Sequence, residues 1–147
     1  TINVLQAMIL TDGERMLRTP TYHTFELYKV HRDAKALPFT LESGEYTYEG
    51  ESLPAVSATA SVNDKGQTHI SLTNIDPNQE RVIEIELEGK RPGSVRWARI
   101  LTADAMNARN TFDAPDALTP QDFKGAKVSK GKLVVTLPAK SLVTIAL

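Results

Sequence analysis

Hydrophobic and polar positions divide the chain into two unlike parts. Val4-Leu5-Gln6-Ala7-Met8-Ile9-Leu10 is a short apolar run with one polar interruption. That length and flanking predict a strand buried on both faces. After the more polar stretch from Thr11 to Thr19, Tyr22, Phe25 and Tyr28 recur at spacing three, and Leu27 and Val30 widen the apolar side. The pattern predicts an amphipathic helix over Pro20–His31. Thr19 is placed to cap its first turn and Pro20 to occupy it, while Lys29, His31 and Arg32 suit the negative end of its dipole.

Beyond His31 the period changes to two. Ala36-Leu37-Pro38-Phe39-Thr40-Leu41 reads as a first strand, with Pro38 demanding an edge or a bulge. Tyr46-Thr47-Tyr48 is a short piece between turn-rich segments. Val56, Ala58, Ala60 and Val62 then share one face, opposite Ser57, Thr59 and Ser61. Asn63-Asp64-Lys65-Gly66 turns the chain, and the return strand places Thr68, Ile70 and Leu72 inward and His69, Ser71 and Thr73 outward. Ile83, Ile85 and Leu87 oppose Glu84, Glu86 and Glu88. The register of Ser94–Thr102 is open: Val95, Trp97 and Leu101 share a face with Arg99, while Ile100 lies opposite. A bulge, or burial on both sides, would reconcile them.

Ala103–Phe123 is the least regular part, a long loop expected to cover one end of the fold. Ala126–Ser129 and Lys132–Leu137 form a hairpin around Lys130-Gly131, and Ser141–Leu147 is a final strand. Turn signals about every ten residues predict a β-sandwich of roughly eight or nine strands. Its core should hold Val56, Val62, Ile70, Leu72, Ile83, Ile85, Leu87, Trp97, Val134 and Leu142.

One strand, a loop and a helix make a single β/α unit, which cannot close a sheet or barrel. The chain begins at Thr1. The expectation is therefore a C-terminal piece of a longer protein, with an incomplete β/α unit over residues 1–34 and a sandwich over 35–147. With 147 residues, one good core can be buried. The net charge of −1 recommends neither nucleic acid nor an anionic membrane as partner. No apolar run reaches the roughly 20 residues that span a bilayer. There is no cysteine, which excludes disulfides and thiolate metal sites. Cytoplasmic, periplasmic and secreted locations all stay open.

Ile2 to Thr11, followed by Thr19-Pro20-Thr21-Tyr22-His23 and Tyr28-Lys29-Val30-His31, resembles the end of the catalytic barrel in family 51 glycoside hydrolases, the α-L-arabinofuranosidases. The match is dense over the first 33 or so residues, and the remainder fits that family's C-terminal sandwich in length and layout. The resemblance implies a mainly β chain: an antiparallel, jelly-roll-like β-sandwich preceded by the last strand (Val4–Leu10) and helix (Pro20–His31) of a (β/α)8 barrel. It also implies that the intact protein is a retaining glycosidase acting on arabinan or arabinoxylan, and that this chain completes and braces the barrel. The partners implied are the upstream barrel portion of the same protein, an arabinofuranosyl saccharide and further copies in a homo-oligomer.

A retaining glycosidase needs two carboxyl groups about 5–5.5 Å apart. The resemblance places both on earlier barrel strands, so no catalytic residue is expected in this chain, and no cofactor. Glu84, Glu86 and Glu88 lie about 7 Å apart along one strand face but point away from the core, as a solvated face does. Barrel enzymes build their sites from the loops after strands. By resemblance, the end of the Thr11–Thr19 loop approaches the arabinose, which singles out Leu17, Arg18 and Thr19. Some family members carry a glutamine there and this chain does not, so Arg18 reads equally well as a sugar contact and as an ordinary rim residue. His23 and His31 are two helical turns apart, too far to share a metal, and His69 stands alone on its strand. Tyr46 and Tyr48 could stack on sugars or pack on a neighbour. A non-catalytic carbohydrate-binding or oligomerisation sandwich is the competing reading.

Overall fold

The computed structural model describes residues 2–4, 7–89 and 91–147. Strands β1 (Ile9–Asp12) and β2 (Arg15–Arg18) lead into helix α1 (Pro20–Tyr28) and a 3₁₀ turn at Lys29–His31. There follow β3 (Lys35–Ala36), β4 (Glu45–Tyr48), β5 (Glu51–Pro54), β6 (Val56–Val62), β7 (Thr68–Asn74) and β8 (Arg81–Ile85). The last are β9 (Trp97–Thr102), β10 (Gln121–Asp122), β11 (Ala126–Ser129), β12 (Lys132–Leu137) and β13 (Ser141–Ala146). Among the described residues, no helix is long and apolar enough to cross a membrane.

Two antiparallel sheets make the sandwich. One runs β10-β9-β13-β7-β6-β3 and the other β11-β12-β8. Their facing sides bury Val56, Ile70, Leu72, Ile83, Leu133, Val135, Val143 and Ile145 in one apolar core, the alternate positions that period two delivers to one face. β4 and β5 form a separate hairpin closed by Glu49 (φ 49°) and Gly50 (φ 87°). β3 is shorter than the expected 36–41 strand. Leu37 N still donates to Ala60 O at 2.9 Å, but Pro38 has no N–H to continue the ladder.

Five expected core positions are corrected: Val62, at the end of β6, and Leu87, past the end of β8, are only half-buried and stand outside the core, and Trp97, Val134 and Leu142 are placed elsewhere. Trp97 is 39% exposed, and Ala98 and Ile100 take the inward places on β9. Leu101 faces the other way and packs with Leu27 and Leu142 in a second cluster. Burial on both sides therefore explains the ambiguous register, and Leu142 belongs to this second cluster rather than the first. Val134 is half-buried on the far side of β12. The tight turn at Lys130-Gly131 pairs Ser129 with Lys132 and Val128 with Leu133, which turns Leu133, Val135 and Leu137 inward.

The largest departure concerns the face of β7 expected to meet solvent. His69 is 6% exposed and Ser71 fully buried, because the segment Pro20–His31 lies across that side of the six-stranded sheet. His31 bridges to the strands through two hydroxyls, Nδ1 to Ser61 Oγ at 2.7 Å and Nε2 to Ser71 Oγ at 2.8 Å. Ser71 Oγ in turn lies 2.8 Å from Thr144 Oγ1. Leu27, Leu101 and Leu142 supply the apolar part of the same contact. Burial, reinforced by the neighbouring His69, holds the His31 pKa below its ordinary value, and burial lowers that of His69. Both rings are thus biased toward the neutral form.

Candidate functional site

The N-terminal segment is folded differently from the expected strand and loop. Leu5 and Gln6 of the predicted Val4–Leu10 strand lie outside the described residues. Among its described residues, Ala7 N donates to Val4 O at 2.9 Å and β1 starts only at Ile9. The stretch read as the Thr11–Thr19 loop is mostly a hairpin. β1 and β2 pair antiparallel from Ile9↔Arg18 to Asp12↔Arg15. Gly13, at φ 59°, takes the first central position of the two-residue turn, and Arg15 pairs with Asp12 across it. An Asp-Gly flanked by Ile9-Leu10 and Met16-Leu17 is a hairpin signal the sequence did carry.

The hairpin delivers the three candidate residues into different surroundings. Leu17 points inward and is 2% exposed, a packing position. Thr19 is the helix N-cap: its Oγ1 donates to Ala7 O at 2.6 Å and accepts from Tyr22 N at 3.5 Å. Arg18, between them, keeps its side chain at the surface. Its guanidinium stands 5.6 Å from the centre of the Tyr22 ring and 3.7 Å from Asp116 Oδ1. Ile9, Met16, Arg18, Tyr22, Pro115 and Asp116 line a concavity of about 410 Å³. Of the three, Arg18 alone presents a hydrogen-bonding side chain to that hollow.

Two of the lining residues come from the long 103–123 loop, which covers the hairpin. Phe112 lies under the Arg15 guanidinium, 4.9 Å from it. Asn110, 5% exposed, uses its whole carboxamide here. Its Nδ2 donates to Arg18 O and to Leu118 O, each at 2.9 Å, and its Oδ1 accepts from Leu118 N at 2.7 Å. The sequence predicts a loop that covers one end of the sandwich, and only the folded chain shows Asn110 meeting a residue ninety-two positions earlier.

The other candidates are placed elsewhere. His23 is buried on α1 with Nδ1 3.3 Å from Glu26 Oε2. Its Nε2 meets no partner among the described residues. Glu84, on the exposed side of β8, and Glu86, just past its end, share Lys132, at 3.1 and 2.8 Å. Tyr48 is 63% exposed on the β4–β5 hairpin and Tyr46 half-buried. Among the described residues, no group of three or more His, Asp or Glu side chains is arranged to hold a metal ion.

Residues 1–141 match the family model described as the α-L-arabinofuranosidase C-terminal domain. The chain is 44% identical, over 99% of its length, to an intracellular exo-α-L-arabinofuranosidase of Bacteroides ovatus, of which it covers 28%. It is 26% identical, over 98% of its length, to an intracellular exo-α-(1→5)-L-arabinofuranosidase of Bifidobacterium longum, covering 27% of that protein. The crystal structure of the family 51 arabinofuranosidase of Xanthomonas axonopodis pv. citri superposes on the whole chain with a TM-score of 0.95 at 42% identity, and the match takes up 30% of that structure. The chain thus spans less than a third of the length of each of these relatives.

Proposed function

The chain belongs to the α-L-arabinofuranosidase C-terminal domain family of family 51 glycoside hydrolases, and from that premise we propose that the intact protein removes terminal arabinofuranosyl groups from arabinan or arabinoxylan with retention of configuration. The observation that carries this reading is the 44% identity, over 99% of this chain, with a relative named an exo-α-L-arabinofuranosidase. In a retaining mechanism one carboxylate attacks the anomeric carbon while a second carboxylic acid protonates the departing oxygen, and water then releases the sugar from the enzyme. Both carboxyl groups belong upstream of this chain, and the two-carboxylate reaction uses no cofactor.

The part assigned to this chain is support and a share of the rim. Ile2, Val4, Met16 and Phe25 are between 53% and 61% exposed, an apolar flank suited to the upstream barrel portion of the same protein. Arg18 offers guanidinium N–H donors to sugar hydroxyls, whereas Leu17 and Thr19 hold it by packing and capping. The names of the two curated relatives support a cytoplasmic rather than periplasmic or secreted location. Further copies in a homo-oligomer belong to the same reading, checked by light scattering on the intact protein.

The test compares the intact protein with the isolated 147-residue chain on an aryl α-L-arabinofuranoside. The intact protein should release the aryl group and give arabinose of retained configuration first, seen by proton NMR. The isolated chain should give no turnover. An inactive intact protein, or an active isolated chain, would overturn the assignment. Tyr48 on its projecting hairpin favours a second reading, carbohydrate binding, for which retardation by arabinan in affinity electrophoresis is the check.

A further inference from the structure

Building on the reading of Arg18 as a sugar contact, we propose that Asn110 is a positioning residue for substrate binding, through which the sandwich sets the geometry of the rim. Arg18 is the last residue of β2, and its neighbours are fixed: Leu17 by burial and Thr19 by the helix cap. The peptide joining Arg18 to Thr19 is held from two sides: Thr19 N donates to Met8 O at 3.0 Å within the N-terminal segment, and Arg18 O accepts from Asn110 Nδ2 at 2.9 Å, the bond that reaches across to the 103–123 loop. The same carboxamide closes its own loop through both polar groups of Leu118. One planar group therefore fixes the hairpin end and the loop that carries Asp116 relative to each other.

The residue type follows from the task. Two donors and an acceptor in one short rigid plane are available only from a carboxamide. Aspartate would keep the bond from Leu118 N but face the Arg18 and Leu118 carbonyls with lone pairs. Asp116 and Pro115 lie in the segment that Asn110 closes, and both line the hollow beside Arg18. Loosening Asn110 thus moves both walls of the hollow. Since a rim contact binds ground state and transition state alike, its misplacement appears in KM.

The experiment uses the intact enzyme with an arabino-oligosaccharide, and the variants Arg18→Ala, Asn110→Ala, Asn110→Asp, the Arg18→Ala/Asn110→Ala double variant, and, as a control in the same loop, Asp113→Ala at an exposed position. Asn110→Ala and Asn110→Asp should each raise KM about tenfold with kcat within about twofold. Asn110→Asp keeps the bond from Leu118 N and gives the answer if the alanine variant fails to fold. A purely structural loss would lower the active fraction, and so kcat, without moving KM. In the Arg18→Ala background, Asn110→Ala should add no further rise, because the two act as one unit. Asp113→Ala should match the parent. A raised KM in Arg18→Ala alone, with Asn110→Asp at the parental value, would overturn the role of Asn110 and leave Arg18 standing. A parental KM in Arg18→Ala would overturn the sugar contact and this inference with it, as independent, additive losses would overturn the inference alone.

Discussion

The two faces of the six-stranded sheet are both buried, by unlike means. The inner face meets the three-stranded sheet through aliphatic side chains such as Ile70, Leu72, Val143 and Ile145. The outer face meets the N-terminal helix partly through Leu101 and Leu142 and partly through Ser61, Ser71 and Thr144, bonded to one another or to His31. The inner contact draws on removal of apolar area from water and tolerates small shifts. The outer contact depends on matched donors and acceptors, each of which becomes a liability if its partner is lost. The first holds a sandwich together. The second ties a particular helix, and the hairpin leading into it, to particular strands.

Substitutions can break this contrast, beginning with the largest effect. Ile145→Ala empties a fully buried inner position and should cost about 2–5 kcal/mol in denaturant unfolding of the intact protein. Ser71→Ala on the outer face removes the link between His31 and Thr144 and should cost about 1–3 kcal/mol, since both partners stay behind with a bond unmade. An undetectable loss there would place the outer face in solvent after all.

Acid should act on the outer face first. The folded-state pKa of His31 lies below its ordinary 6.5 through burial and the nearby His69, and that of His69 is lowered by burial. Between the folded value and 6.5 the unfolded chain binds more protons, so stability is complete above pH 6.5 and falls as the pH drops toward the folded value. A titration of the unfolding midpoint should show this slope, and His31→Gln should flatten it. Asp76 acts further down. Burial raises its pKa, but the Asn78 amide, the Arg81 guanidinium and the Gln79 amide outweigh that and hold it below 3.8. Its contribution is kept above pH 3.8 and lost as the pH falls through the folded value. The smallest effect belongs to Lys132→Ala. The Glu84 and Glu86 pairs it removes are exposed to solvent, so the unfolding midpoint should move little and any change should vanish in high salt.

The contrast also explains what could be read from the sequence. Inner-face positions announce themselves by alternation, and β6, β7, β12, β13 and the helix with its Thr19 cap follow from local pattern. Strict alternation failed at β9, where Leu101 and Ile100 are buried on opposite sides, because one face serves the sandwich and the other the helix. Ser61, Ser71 and His69 look solvated in a strand, and only the helix laid over them makes them interior. The hairpin carrying Arg18 was signalled by Asp12-Gly13, but its hold on Asn110 depends on a contact between distant segments that no local pattern encodes.

Whether the helix is bonded to the sandwich through a buried polar layer is decided by a double-mutant cycle of His31→Ala with Ser71→Ala. With Nε2 and Oγ 2.8 Å apart, a coupling of about 1 kcal/mol in unfolding free energy is the predicted result. Additivity of the two losses to within about 0.3 kcal/mol would contradict it.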